Sequence, residues 1–91
     1  MTNPALLWNA PRPPKPEPVP GELLFALLRE RDGDRMYCEI RSHGEFGVEA
    51  QFFSNDEFSH SRRFDTKAQA VQWAELERDA HIRKGYELVP A

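Results

Sequence analysis

The sequence contains a single cysteine, and this scarcity limits the kinds of site that the chain can build. Cys38 has no partner for an internal disulfide or a multi-cysteine zinc site. Strand alternation predicts that its thiol points inward, where a thiol is usually inert packing. The three histidines, His43, His60 and His81, fall on a turn, a strand and a helix end, without a metal-ligand spacing such as i, i+4. We therefore expect no cofactor, no metal and no enzymatic activity.

A surplus of cations and a long apolar run are also lacking. Lys and Arg number 12 against 15 Asp and Glu, so the formal net charge is −3. Nucleic-acid-binding and membrane-surface proteins usually need excess cations, so this balance disfavours both. No stretch approaches the ~20 apolar residues that cross a bilayer, and residues 1–10 do not have the pattern of a secretory signal. We expect a cytoplasmic protein without membrane contact, and the frequent Arg and Ala suggest a bacterial source.

Proline, by contrast, is concentrated in one place. Residues 11–20 hold six of the eight prolines, whose fixed φ and missing amide donors favour an extended polyproline II rod. We interpret residues 1–20 as an extended proline-rich arm and residues 21–87 as a single small α+β domain. The arm is either a spacer or a ligand for an aromatic-lined groove. Within the Leu6-Leu7-Trp8 cluster, Trp8 either packs back on the domain or binds a partner.

The domain begins with four predicted strands separated by short turns. Turn signals occur at Asp32-Gly33, at 42–47 and at 54–57, and they bound strands at 22–31, 35–41, 48–53 and 58–64. The fourth strand is polar, as expected of an edge strand. Strand alternation predicts an inward set comprising Met36, Cys38, Ile40, Val48, Ala50 and Phe52. It predicts an outward set comprising Tyr37, Glu39, Arg41, Glu49, Gln51 and Phe53.

Residues 64–85 have the start, body and stop of a helix. Thr66 and Gln69 can form a capping box, and Gly85 can take the left-handed conformation that ends a helix. Together these elements predict an α+β fold: a four-stranded antiparallel meander (ββββα) with one C-terminal helix packed on one face, in two layers. The helix residues expected to contact the sheet are Ala70, Val71, Ala74 and Ile82. Trp73, Leu76 and Ala80 are expected largely outside that face, as an apolar strip that either is covered by the Leu6-Leu7-Trp8 cluster or marks a contact site.

The segment 61–85, SRRFDTKAQAVQWAELERDAHIRKG, resembles the last strand and helix of a known DNA-binding module. That module is the AP2-like N-terminal arm-binding domain of phage tyrosine integrases, in which a polar strand ends in Phe and is followed by Thr, Lys-x-x-Ala and Trp. The resemblance implies a small sheet whose exposed face enters a DNA groove. The implied contact residues are Tyr37, Arg41, Gln51 and Arg63. Residues 38–52 also look like those of small bacterial proteins that belong to no functional family known to us.

Two functions of different classes follow from these observations. The first is a non-enzymatic binding module that contacts an unknown protein partner or a second copy of itself, since aromatic residues among paired charges suit protein contacts. The alternative is an AP2-like DNA-binding or regulatory protein, which requires a positive patch from Arg41, Arg62, Arg63 and Lys67. The candidate binding residues are Tyr37, Arg41, Gln51, Phe53, Arg63, Trp73, Leu76 and Trp8.

Overall fold

The computed structural model describes residues 21–90, which form a five-stranded antiparallel sheet and one α-helix, with a short 3-10 helix at Gly44–Phe46. The elements are β1 (Glu22–Arg29), β2 (Asp34–Ser42), β3 (Val48–Ser54), β4 (Glu57–Phe64), α1 (Lys67–Arg83) and β5 (Glu87–Leu88). The strand order is β4-β3-β2-β1-β5, and all neighbours are antiparallel. The α+β class, the meander of the first four strands, the polar edge strand β4 and the C-terminal helix are as predicted. The arm 1–20, with Trp8, lies outside the described residues.

The predicted number of strands was wrong, because a fifth strand follows the helix. In β5, Leu88 pairs with Leu27 and Glu87 pairs with Leu28 of β1. The amide of Val89 also donates a hydrogen bond to the carbonyl oxygen of Ala26, at 2.9 Å. β5 therefore covers the edge of β1 that the predicted meander left open, and it crosses residue 87, where the predicted domain ends.

Tight turns fix the register of the meander. Between β3 and β4, Asn55 and Asp56 have φ of 50° and 69°, a left-handed pair that suits a two-residue hairpin loop. The side chain of Asn55 accepts a hydrogen bond from the amide of Arg35 at 3.0 Å, which ties this hairpin to the start of β2. Gly47, just before β3, has φ of 95°, and a β-carbon there would collide with the carbonyl oxygen of Phe64. This position therefore requires glycine.

One face of the sheet packs against α1 and forms the core. The predicted inward residues Met36, Cys38, Ile40, Ala50 and Phe52 are all buried, and Val48 is partly buried against them. The remaining core residues are Phe25, Leu27, Ala70, Ala74 and Tyr86.

The helix begins as predicted and lies close to the sheet. Thr66 Oγ1 accepts from the Gln69 amide and Gln69 Oε1 accepts from the Thr66 amide, both at 3.2 Å, which confirms the capping box. The helix ends in a Schellman motif in which the amide of Tyr86 donates to His81. Ala70 and Ala74 are fully buried. Their small side chains allow the backbone of α1 to approach the strands.

Two helix residues differ from the prediction. Trp73, expected on the apolar strip outside the packed face, packs on the core with its ring centroid 5.6 Å from that of Phe52 and 5.8 Å from that of Phe64. Because the alanines bring the helix close, a large flanking ring reaches the sheet. Ile82, expected to face the sheet, is 39% exposed, since it lies about 80° around the helix axis from the buried Ala74, at the edge of the packed face.

Tyr86 joins the end of the helix to the first hairpin. The guanidinium of Arg29 lies 4.7 Å from the centroid of its ring, and the Tyr86 hydroxyl donates to Asp34 at 3.5 Å. Arg29 also pairs with Asp32 at 2.8 Å and with Asp34 at 3.0 Å. Burial raises the pKa of Tyr86 above its ordinary value. This cluster positions β5 against β1.

Candidate functional site

The sheet face opposite α1, here called the open face, is not covered by any element within residues 21–90. Side chains alternate along a strand, so the neighbours of the buried core residues lie on this face. Strand register places the following residues on it: Ala26, Leu28, Tyr37, Glu39, Arg41, Glu49, Gln51, Phe53, Phe58, Ser61 and Arg63.

Aromatic rings cross the open face at its end near the β3–β4 turn. Tyr37 of β2 pairs with Phe53 of β3, which pairs with Phe58 of β4. The Tyr37 and Phe53 rings are stacked, with centroids 4.8 Å apart and planes 11° apart. The Phe58 ring meets Phe53 edge-on, at 6.0 Å and 81°. Tyr37 and Phe53 are half-buried and Phe58 is 58% exposed. These three residues, the aromatic row, present a structured apolar surface to solvent.

An apolar groove of about 330 Å³ continues the aromatic row toward β5. Its apolar lining includes Ala26, Leu28, Tyr37 and Val89. At its rim, Arg35 and Asp56 form an ion pair at 3.2 Å, with both side chains largely exposed. The groove is large enough for a side chain or a short apolar segment, and it has a charged margin.

Charged residues form a second row across the open face. Arg41 of β2, Glu49 of β3 and Arg63 of β4 stand opposite one another in register. Glu49 Oε1 lies 2.9 Å from His43 Nε2 and accepts a hydrogen bond from Gln51 Nε2 at 3.0 Å. Desolvation alone would raise the pKa of Glu49, but hydrogen bonds from Ser61, His43 and Gln51 outweigh it and hold the pKa below its ordinary value. Glu49 is therefore a fixed anion at neutral pH.

Arg41 contributes an unusual group to this charged row. Its Nη2 donates to Glu39 Oε1 at 3.3 Å. Its Nε is buried and has no hydrogen-bond acceptor among residues 21–90. A buried donor without an acceptor is destabilising, so an additional acceptor beside Arg41 would be favourable.

The structure brings together five of the eight predicted binding residues. Tyr37, Arg41, Gln51, Phe53 and Arg63 all lie on the open face. The other three are separated from them. Of these, Trp73 packs in the core, Leu76 is 63% exposed on α1, and Trp8 lies outside the described residues.

Sequence reasoning missed Phe58 and the apolar lining of the groove. Phe58 was placed in the fourth strand but not identified as a surface residue. Two phenylalanines, Phe53 and Phe58, flank the 54–57 turn and pair across it, and this was the available signal. Val89 could not be identified without β5, because its position depends on the hydrogen bond to Ala26.

The four cations expected to form a positive patch do not lie together. Arg41 and Arg63 are on the open face, whereas Arg62 pairs with Ala50 on the helix side and its guanidinium lies 5.2 Å from the Phe64 ring centroid. Lys67 pairs with Glu22 at 3.1 Å. The open face is thus mixed in charge.

Other chemical features of the described part are consistent with structural roles. Desolvation, with a smaller contribution from Glu39, raises the pKa of the buried Cys38 thiol to about 12, so the thiol stays protonated at neutral pH. Residues 21–90 contain no group of three or more His, Cys, Asp or Glu side chains placed to hold a metal ion. Within the same range, α1 does not have the length and apolar character needed to span a membrane.

Comparison of the chain with protein-family models, with curated proteins and with solved structures gave no match.

Proposed function

We propose that this chain is a non-enzymatic protein-interaction module and that the open face is its binding surface. The observation that carries the proposal is the aromatic row, in which Tyr37 and Phe53 stack on a face that residues 21–90 leave uncovered. Aromatic side chains contribute large apolar area with little conformational freedom to lose, and they are enriched in protein interfaces. A buried thiol and a small acidic domain suit a cytoplasmic setting, which belongs to the same proposal.

The surroundings of the aromatic row fit this role. The apolar groove extends the apolar area on one side. On the other side come Glu39 and Gln51, and beyond them the charged row with Arg41, Glu49 and Arg63. Binding energy at interfaces concentrates in a few central aromatic residues, while a polar rim adds specificity. Because Arg41 and Glu49 already have partners within the chain, a protein could cover them without leaving bare charges.

The test compares open-face and helix-face variants of the full chain in affinity capture from the native cell. The open-face variant is Tyr37→Ser with Phe53→Ser, and the matched control is Leu76→Ser on α1. We expect a protein captured by the original chain and by the control to be lost with the open-face variant, while circular dichroism shows all three folded. Equal capture by all three would refute the assignment. Sedimentation of the same variants tests the version in which the partner is a second copy.

DNA binding is a second candidate, favoured by one specific observation. The four residues implied by the integrase resemblance, Tyr37, Arg41, Gln51 and Arg63, share the open face. Glu39 and Glu49 lie on the same face and would repel phosphate. Titration against mixed duplex DNA at low salt decides the matter, because even non-specific binders show salt-sensitive affinity there. An absence of binding at low salt would exclude this candidate.

A further inference from the structure

We propose that the aromatic row is a binding site for a proline-rich peptide and that its occupant is segment 11–20 of the same chain. This inference rests on the proposed function, because it names the ligand of the same surface. Proline-rich segments bind grooves lined with aromatic rings, since the rod is already extended and loses little freedom. Here, the stacked Tyr37 and Phe53 rings offer a flat surface, and the Phe58 ring stands perpendicular at its end.

The segment enters the domain on the correct side. Glu22, the first residue of β1, pairs with Ile40, and Gly21 comes immediately before it, at the margin of the sheet. A β-carbon at Gly21 would lie 2.9 Å from both Cβ and Cδ of Glu39, whose side chain is on this face. The backbone at Gly21 therefore lies against the open face, and segment 11–20 is joined to the domain at this point.

The length of the segment matches the distance to be covered. Phe58 is three strands away from Gly21 and two to four residues along, which gives a separation of about 16–20 Å at usual sheet spacings. A ten-residue polyproline II rod spans about 31 Å, so segment 11–20 is long enough to reach the aromatic row from Gly21 and to pass its end at Phe58.

The charges of the segment and of the domain favour the same path across the open face. Residues 1–20 carry the cations Arg12 and Lys15 and one anion, Glu17, whereas the domain that follows has an excess of anions. At about 3.1 Å per residue, Lys15 lies roughly 19 Å from Gly21 along the rod, close to the position of Phe58. Asp56 is exposed next to Phe58 and lies at the rim of the groove with its ion-pair partner Arg35, so it is the carboxylate that Lys15 would meet.

The buried Arg41 Nε provides a further point of agreement. It has no acceptor among residues 21–90, and Arg41 is the neighbour of Ile40, which pairs with Glu22 next to the end of the segment. A polyproline II rod has no internal hydrogen bonds, so its carbonyl oxygens are free to accept from such a donor.

The test is paramagnetic broadening in the full chain, with a nitroxide attached to Arg12→Cys. Cys38 does not compete for the label, because it is buried and its thiol stays protonated at neutral pH. If the segment lies across the aromatic row, the label sits beyond Phe58. We then expect the β4 amides near Phe58 to lose more than half of their intensity, while the α1 amides near Leu76 keep theirs. Broadening around Gly21 that affects both faces equally would overturn the proposal.

Two matched variants separate packing on the aromatic row from simple tethering. Tyr37→Ala with Phe53→Ala should abolish the broadening at β4, and so should Pro14→Gly with Pro16→Gly, which loosens the rod. Leu76→Ala should leave it unchanged. A mixture of isotope-labelled chain without nitroxide and unlabelled chain with nitroxide should show no broadening; if it does, the occupant is the arm of a second copy and the intramolecular assignment is wrong.

The outcome also distinguishes this inference from the proposed function. Absence of β4 broadening, combined with partner capture that still depends on Tyr37 and Phe53, refutes the arm as occupant and keeps the interaction surface. Broadening at β4, combined with capture that is independent of these residues, refutes the partner surface while the arm still occupies the row. If both hold, Pro14→Gly with Pro16→Gly should increase partner capture, because the competing segment is released.

Discussion

The ring of Tyr37 lies parallel to the ring of Phe53, with centroids 4.8 Å apart and planes 11° apart. The two residues are directly opposite one another on β2 and β3, on the face that α1 does not cover. Cross-strand aromatic pairs stabilise a sheet, so this stack serves the fold as well as the proposed binding surface. The contribution of the stack to stability and its contribution to binding can be measured separately.

The energy of the stack is accessible from a double-mutant cycle with Tyr37→Ala and Phe53→Ala. We expect a coupling of about 0.5–1.5 kcal/mol in the free energy of unfolding, because each single variant removes the same ring contact. Urea unfolding followed by circular dichroism gives the values. Leu76→Ala, on the exposed side of α1, should change stability by less than about 0.5 kcal/mol. Additive effects of the two aromatic variants would show that the stack contributes no coupling.

Gly47 and Gly33 allow the cost of a positive φ angle to be compared with and without a steric clash. Both have positive φ, 95° and 72°, but a β-carbon at Gly47 meets the carbonyl oxygen of Phe64, whereas one at Gly33 meets nothing within 4 Å. Gly47→Ala should therefore destabilise by about 1–3 kcal/mol, and by more than Gly33→Ala. Equal losses of stability in thermal unfolding of the two variants would mean that the positive φ angle alone, and not the contact with Phe64, determines the destabilisation.

Tyr86 should be essential to the domain although it lies after the helix. Tyr86→Ala removes a buried ring next to Arg29 and should cost about 3 kcal/mol or more. Tyr86→Phe keeps the ring and loses only the long 3.5 Å hydrogen bond to Asp34, so its cost should be well below that of the alanine variant. Urea midpoints provide the comparison, and similar losses for both variants would contradict a packing role.

Glu49 should make stability depend on pH in the acid range. Its pKa is lower in the folded chain than its ordinary value of 4.5, so its contribution is present above that value and is lost as pH falls through the folded pKa. The difference in urea midpoint between pH 7 and pH 3 should therefore be smaller in Glu49→Gln than in the original chain. Glu45→Gln, at an exposed carboxyl in the preceding turn, is the control and should keep the difference.

The capping box predicts a defined cost at the start of the helix. Thr66→Ala removes the acceptor of the Gln69 amide and should destabilise by about 1 kcal/mol, while Thr66→Ser retains the hydroxyl and should change stability little. Thermal unfolding of the two variants measures both changes in stability. A serine variant as unstable as the alanine variant would show that the Thr66 methyl group, rather than its hydroxyl, matters.

Local sequence patterns predicted most of the fold, whereas β5 and the position of Trp73 depend on tertiary contacts. Alternation on β2 and β3 assigned Met36 and Phe52 to the core because one face of each strand is consistently apolar. β5 was missed because a two-residue strand has no periodicity, and its pairing depends on β1 far earlier in the chain. Trp73 was misplaced because a helical projection gives only angles, whereas the length of a ring decides whether it reaches a sheet.

The same distinction applies to the candidate site. Tyr37, Gln51 and Phe53 could be placed together because they alternate with core residues on neighbouring strands. The apolar groove could not be predicted, since Val89 reaches it through β5. The separation of Arg62 from Arg63 follows from strand alternation, whereas the predicted positive patch depends on residue type alone.

The pairing of β5 with β1 has a consequence for how the domain opens. The helix is followed at once by Tyr86 and β5, both held on the first hairpin, so α1 cannot leave the sheet at its C-terminal end unless these contacts break. Structural units that depend on one another in this way exchange their amide hydrogens together. The protected amides of the last turn of α1 and that of Val89 should therefore exchange with the same opening free energy, as one cooperative segment.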